Sequence, residues 1–200
     1  MQLIVATRNT NKTREIDQIL GSKFTVRDLT AHPEVSEIAE TGASFEENAK
    51  LKAMAVSKKL SGLIIADDSG LEVEALGGAP GIHSARYAGA NASDEEKTTK
   101  LLGELAKVGA KGELRSARFR CVLAVARSGR VLATFQGVVE GKIAERSRGS
   151  HGFGYDPIFI PDGFKETFAE LPVEVKNDIS HRAKAIRKLQ VELPTLCCEV

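Results

Sequence analysis

Two aspartates stand side by side in GLIIADDSGLEV, residues 62–73, directly after the apolar run Leu63-Ile64-Ile65-Ala66. Aspartate is poor in strand interiors, and neighbouring like charges repel. A strand that ends on Asp67-Asp68-Ser69-Gly70 is therefore either an Asp-rich turn or a cation site. A hard divalent cation such as Mg²⁺ takes oxygen ligands and keeps several waters, so one or two carboxylates beside a phosphate site suit it. Glu40, in AETG ahead of a helix pattern, is the candidate for the other oxygen.

Anion-binding chemistry is offered by TRNTNK, residues 7–12, where a strand pattern hands over to a helix. Exposed backbone N–H groups and the positive end of a helix dipole attract anions there. Thr7, Asn9, Thr10 and Asn11 add short polar groups, and Arg8 and Lys12 add positive charge. Without the glycine spacing of a P-loop, the same residues also read as a helix cap with a surface lysine. Asn48 and Lys52 lie four apart beside an apolar stripe, a spacing that an ordinary solvated face also produces. Glu46 and Lys50 read as a surface ion pair of that kind.

GFGYDP, residues 152–157, sets glycines among two aromatics and an acid. Glycine lets the backbone approach a ligand, and an aromatic face can stack on a base; alternatively Phe153 and Tyr155 join the core of a tight loop. KNDISHR places Lys176, His181 and Arg182 at the start of the final helix, as donors for a base edge or as surface decoration. Taken together, anion-binding groups, a metal site, a stacking loop and base-edge donors compose a nucleoside triphosphate site.

The elements that must position these residues follow from periodicity. Residues 3–6 read as a buried strand, followed by a helix carrying Ile16, Ile19 and Leu20 and stopped by Gly21. Capping boxes at Ser44–Glu47 and Ser93–Glu96 open two more helices. The first runs through Phe45, Ala49, Ala53, Val56 and Leu60 to Gly62; the second buries Leu101, Leu102, Leu105 and Val108. Ala117, Phe119, Cys121, Leu123 and Val125 alternate with arginines, and a Ser128-Gly129 turn marks a hairpin. A final helix carries Ile179, Ala183, Ile186, Leu189 and Leu193 and ends at Pro194, leaving Cys197-Cys198 in a frayed tail. The fold class is α/β, a mixed sheet flanked by helices, within a single domain over residues 1–200.

Bulk properties narrow the function. The 200 residues carry a net charge of +1, so there is no global electrostatic case for nucleic acid or an anionic membrane as partner. No apolar stretch approaches membrane-spanning length, and the first residues lack the plan of a signal peptide. Three cysteines without metal spacing point to a reducing, cytoplasmic setting without disulfides.

VATRNTNKTREI, ETGASFEENAKLKA, ADDSGLEVEALGGAPGIHSARYAG, GFGYDPIF and KNDISHR occur in that order along nearly the whole chain. In this series the chain resembles the ITP/XTP pyrophosphatases, which clear deaminated purine nucleotides. The resemblance implies a Mg²⁺-dependent homodimeric enzyme with a long, curved mixed sheet, two lobes and an active site in the cleft between them. It implies that residues 7–12 form the triphosphate loop and that Lys52 contacts phosphate. Asp68 is then the proton acceptor, Glu40 and Asp68 hold the metal, and Ser69 touches substrate. Phe153, Gly154, Tyr155, Asp156, Lys176, His181 and Arg182 form the nucleoside pocket, with Arg182 aimed at the purine 6-oxo group. Asp67 is left as a supporting acid. Two departures are visible: Arg8 stands where many members have glycine, and Val175 where a second acid often precedes the lysine. A pyrophosphatase for other modified nucleotides and a non-enzymatic nucleotide-binding module are the alternatives.

Overall fold

The computed structural model describes residues 2–198, excepting the side chain of Cys198. Six strands form one mixed sheet in the order β2-β1-β3-β4-β5-β6: β1 Gln2–Val5, β2 Thr25–Asp28, β3 Ile64–Val73, β4 Ser116–Arg127, β5 Arg130–Ile143 and β6 Phe159–Pro161. The helices are α1 Thr10–Leu20, α2 Phe45–Ser57, α3 Asp94–Lys107, α4 Val173–Ile179 and α5 His181–Cys198. β1 pairs in parallel with both β2 and β3, whereas β5 and β6 are antiparallel. Parallel neighbours need crossover connections; α1 links β1 to β2, and α2 lies between β2 and β3.

The chain divides into two compact units. The first holds residues 1–68, 121–137 and 181–200; the second holds 69–120 and 138–180. In the first, Leu3, Val5, Ile16, Leu63, Ile65, Leu123, Ile186 and Leu189 form the core. In the second, Leu71, Leu101, Leu105, Phe119, Phe159 and Phe168 do. The aromatics of that second core interlock, with the Phe119 and Phe159 rings 4.7 Å apart and edge-on, an arrangement favoured by the ring quadrupole.

Five expectations change. β3 does not end at the aspartates but runs through Asp67, Asp68, Ser69 and Gly70 to Val73. α2 stops at Ser57, before Leu60. Val108 caps the end of α3 and is 55% exposed. The final helix is two helices, broken at Ser180, whose extended ψ of 159° interrupts the turn; Ile179 and Lys176 therefore belong to α4. Pro194, conversely, does not end α5. Its missing N–H costs one helical bond, but Leu193 and Leu196 on either side are buried in the first core. Arg127 Nη2 also donates to the Leu196 carbonyl at 3.1 Å. Packing overrides the local breaker. The Cys197 end is thus helical, and the Cys198 side chain lies outside the described residues.

Candidate active site

Successive strand residues face opposite ways, and this separates the two aspartates. Asp67 shares the face of Leu63 and Ile65. It is 1% exposed and ringed by cations: Lys12 Nζ pairs with Oδ1, and Arg182 Nε lies 3.0 Å from Oδ2. Cys121 Sγ donates to that same Oδ2 at 3.2 Å. Burial pushes the Asp67 carboxyl up, but Arg182, Lys12 and Lys52 outweigh it and hold the group well below the usual carboxylate range. Burial, followed by the Asp67 charge, pushes the Cys121 thiol well above its ordinary value, so it stays a neutral donor.

Asp68 faces the other way, toward α2. Lys52 comes from the buried stripe of α2 that also holds Ala49, Ala53 and Val56. Its ammonium donates to Glu40 Oε1 at 2.8 Å, to the Asp67 carbonyl at 2.7 Å and to Asp68 Oδ1 at 3.1 Å. An ammonium has three protons, and each has an acceptor here. Asp68 Oδ2 is buried and has no hydrogen-bond partner among the described residues. Burial raises the Asp68 carboxyl above its ordinary value, with Lys52 and Lys12 opposing only in part. Lys52 itself is raised: burial works against its charge, and Asp68 and Glu40 more than compensate.

The two carboxylates therefore play different electrostatic parts. Asp67 is a fixed anion inside a set of cations, and Asp68 is a more basic carboxylate with a lone oxygen to offer. Strand alternation and three basic side chains, Lys12, Lys52 and Arg182, offset the repulsion between the adjacent acids.

Asn48 and Lys52 do not form a solvated face; both are buried. Asn48 Oδ1 accepts from Gly42 N at 2.8 Å, which ties the segment carrying Glu40 to α2. A Cβ on Gly42 would lie 2.7 Å from Glu47 Cβ and 2.8 Å from that Asn48 oxygen, so only glycine fits this approach. Ser44 Oγ caps Glu47 N, but the Glu47 carboxylate closes on Ala43 N, one residue before the cap. The Glu46–Lys50 pair is the exposed i,i+4 pair expected.

The loop at residues 7–12 acts first as a cap. Asn9 Oδ1 accepts from Asn11 N and Lys12 N, and Thr7 Oγ1 accepts from Asn9 N. Thr10 opens α1. Lys12 is not a surface lysine, because it reaches Asp67. Arg8 turns to the segment that leads to Glu40: Nη1 donates to the Leu29 carbonyl and Nη2 to the Val35 carbonyl, both at 2.6 Å. This guanidinium clamps the backbone of that segment.

Arg182 is 2% exposed; Nη1 pairs with Glu15 while Nε holds Asp67. These contacts make it a buried counter-ion to both carboxylates. His181 beside it is also buried. Glu15, which periodicity assigned no role, carries no local signal: its partner is 167 residues away.

Within the second unit, Ser69 is half-buried on β3. Asp156 Oδ2 accepts from Phe153 N at 2.8 Å and from Lys176 Nζ at 2.5 Å. Lys176 lies 5.0 Å over the Phe153 ring, within cation–π range. A Cβ at Gly152 would collide with the Asp156 carboxylate. Tyr155 takes the core alternative: it is buried, and its hydroxyl donates to the Ser84 carbonyl at 3.0 Å. Phe153 keeps a half-exposed ring. Gly154 N donates to Asp94 Oδ2 at 2.6 Å. In GIHSARY the buried member is Ser84, which bonds Leu71 N and Gly81 O, while His83 is exposed.

No group of three or more His, Cys, Asp or Glu side chains gathers for a metal among the described residues. Mg²⁺ needs no such group, because it binds through one or two carboxylates and keeps its waters. The lone Oδ2 of Asp68, with Glu40 on the other side of Lys52, is a donor set of that kind.

The Ham1 family profile matches residues 3–192. The dITP/XTP pyrophosphatase of Geobacillus kaustophilus is 49% identical over 94% of this chain and 92% of its own length. That of Bacillus subtilis is 49% identical over 94% of both. A HAM1 protein structure from Coxiella burnetii superposes with a TM-score of 0.85 at 39% identity, covering 98% of this chain and 99% of its own. The Staphylococcus aureus Ham1 protein gives 0.84 at 41%, covering 98% and 100%. With a matched profile over nearly its full length and relatives near half identity, the chain belongs to the Ham1 family.

Proposed function

We propose that this protein hydrolyses deaminated purine nucleoside triphosphates (ITP, dITP and XTP) to the monophosphate and pyrophosphate, and so cleanses the nucleotide pool. The observation that carries the reading is Asp68: a buried, basic carboxylate with one oxygen on Lys52 and the other without a partner among the described residues. A pure binding module has no use for such a base. The substrate class follows the relatives, whose name is dITP/XTP pyrophosphatase.

In this reading Asp68 positions a water and accepts its proton as the water attacks the α-phosphorus, the step in which a placed base contributes about 10²–10⁴-fold. Lys12 and Lys52 supply positive charge for the departing pyrophosphate. All three Lys52 protons have acceptors, so its effect is that of a nearby charge held in place. Glu40 and Asp68 would hold Mg²⁺, which when bound screens phosphate oxygens and acidifies water. Residues 7–12 would take the triphosphate, and Ser69 would contact substrate. Phe153 would stack on the base, with Gly154, Tyr155 and Asp156 shaping its loop.

Selectivity would rest on the 6-position. Hypoxanthine and xanthine present an acceptor where adenine presents a donor, and sites built on buried hydrogen bonds can discriminate by ~10⁴ or more. Lys176, His181 and Arg182 are the donors proposed for this; two nitrogens of Arg182 already hold carboxylates. A homodimer and a cytoplasmic location are proposed on the same family resemblance. Among the described residues no helix is long and apolar enough to cross a membrane.

The test is purified protein with ITP, XTP, GTP and ATP, with and without Mg²⁺, scoring pyrophosphate against orthophosphate. Pyrophosphate from ITP and XTP only with the ion is expected. Release of single phosphates, a preferred pyrimidine substrate, or affinity without turnover would each overturn the reading. Sedimentation of the same sample reads the dimer.

A further inference from the structure

We propose that Asp94, the first residue of α3, is a positioning residue that sets the shape of the base-binding loop at residues 152–156; this rests on the function proposed above. Asp94 lies 60 residues from Gly154, yet its Oδ2 accepts the Gly154 N–H at 2.6 Å. The other oxygen, Oδ1, is held by Lys97 Nζ at 2.9 Å. Both oxygens are thus fixed, and so is the backbone that carries them. Ser93 and Glu96 form a reciprocal capping box at this helix start, with Ser93 N to Glu96 Oε2 at 2.7 Å and Glu96 N to Ser93 Oγ at 3.2 Å. Leu101 and Leu105 anchor the same helix in the second core.

The loop needs such an anchor. Gly154 is left-handed at φ +64°, and a Cβ built there would point into open space with nothing within 4 Å. Glycine can leave that conformation at little steric cost, so the peptide between Phe153 and Gly154 keeps its orientation through the hydrogen bonds at its two ends. Its carbonyl side accepts from Asp156 N at 3.2 Å, and Phe153 N is held by Asp156 Oδ2. Tyr155 is tied separately through Ser84. Among these ties Asp94 is the side chain brought in from another element that grips the peptide next to the Phe153 ring. Loss of a charged acceptor from a backbone donor removes about 10-fold or more of the population that keeps one geometry.

The experiment measures KM and kcat for ITP and ATP in Asp94→Ala, with the inhibition constant of tripolyphosphate as a probe that lacks a base. Asp94→Ala should raise KM for ITP roughly 10-fold and narrow the ITP/ATP ratio, leaving the tripolyphosphate constant unchanged. Asp94→Asn, which keeps an acceptor oxygen, should restore most of the KM. Should Asp94→Ala not fold, Asp94→Glu keeps the charge but displaces the acceptor by one methylene, and it should raise KM in the same direction. A folded variant with wild-type KM and base ratio overturns the proposal, as does an equal loss of ITP and tripolyphosphate affinity. Wild-type protein is run alongside: if it fails to make pyrophosphate from ITP the functional reading falls, whereas wild-type turnover with unaltered variants removes only the role of Asp94.

Discussion

Arg182 Nε lies 3.0 Å from Asp67 Oδ2, so a residue in the first turn of the last helix neutralises one in the middle of β3. Glu15 on α1 completes the triad through Nη1 of the same guanidinium. Burial alone works against the Arg182 charge, and Asp67 and Glu15 reverse this, so the group stays ionised at any working pH. A buried guanidinium between two carboxylates ties three elements to one charge.

Arg182→Ala should therefore act on stability before it acts on selectivity. Removing it takes a shared cation from two buried carboxylates, a loss of about 3–5 kcal/mol. Chemical denaturation should show a lower midpoint, and turnover should fall because Lys12 shares Asp67 with the lost cation. The ITP/ATP ratio of the residual activity then tells counter-ion from base reader. A ratio equal to wild type would remove Arg182 from base recognition while leaving its structural part intact.

Gly137 on β5 faces the start of α5. A Cβ there would overlap the His181 carbonyl oxygen and lie 2.7 Å from Ala185 N, both backbone atoms that cannot swing aside. Gly137→Ala must push the first turn of α5 outward, and Arg182 with it. Overpacking of this kind costs roughly 1–3 kcal/mol. The expected result is a lower melting temperature together with reduced kcat. A variant with wild-type stability and rate would show that the helix can shift without consequence.

How much of this is readable in one dimension depends on the range of the interaction. The hairpin is readable: alternation from Ala117 to Val125 leads to Ser128 and Gly129, both at positive φ as a tight two-residue turn demands. Both N-terminal serine caps are readable for the same reason, since cap and partner lie three residues apart. The continuation of β3 through two aspartates is not, because what makes it tolerable is Lys12, Lys52, Cys121 and Arg182, at 55, 15, 54 and 115 residues' separation. Lys52 lies 3.1 Å from Asp68 while Lys12 pairs with Asp67, and these separate roles of the two aspartates needed the two faces of a strand. The helix break at Ser180 and the persistence of α5 past Pro194 are also decided by tertiary contacts, which outweigh local propensity.

Asp28 offers a pH-dependent contribution away from the catalytic cluster. Its carboxylate accepts from Thr13 Oγ1 at 2.7 Å and from Thr30 N at 2.9 Å, capping a single helical turn at Leu29–Ala31. Burial raises its pKa, but the hydrogen bonds from Thr30 and Thr13 win and place it below 3.8. A depressed folded-state value means the stabilisation is present above the unfolded value and is lost as pH falls through the lower folded one. Asp28→Ala should cost about 1 kcal/mol at neutral pH. The difference between wild type and variant should shrink below about pH 4 in urea melts. A difference constant from pH 7 to pH 3 would assign the effect to packing instead.

Asp68→Asn separates chemistry from architecture. Asparagine is nearly isosteric, and its oxygen can still accept from Lys52, so the segment around Glu40 keeps its anchor. It also removes a buried charge that burial already disfavours, so the melting temperature should hold or rise. What it cannot do is accept a proton from water, and turnover of ITP should fall by about 10²–10⁴-fold. Nucleotide binding, read by titration calorimetry in Mg²⁺, should persist, with weaker dependence on the ion if Asp68 is one of the two carboxylates proposed to hold it. Turnover within a few-fold of wild type would exclude Asp68 as the proton acceptor. The lone oxygen at its tip would then have only the metal to serve.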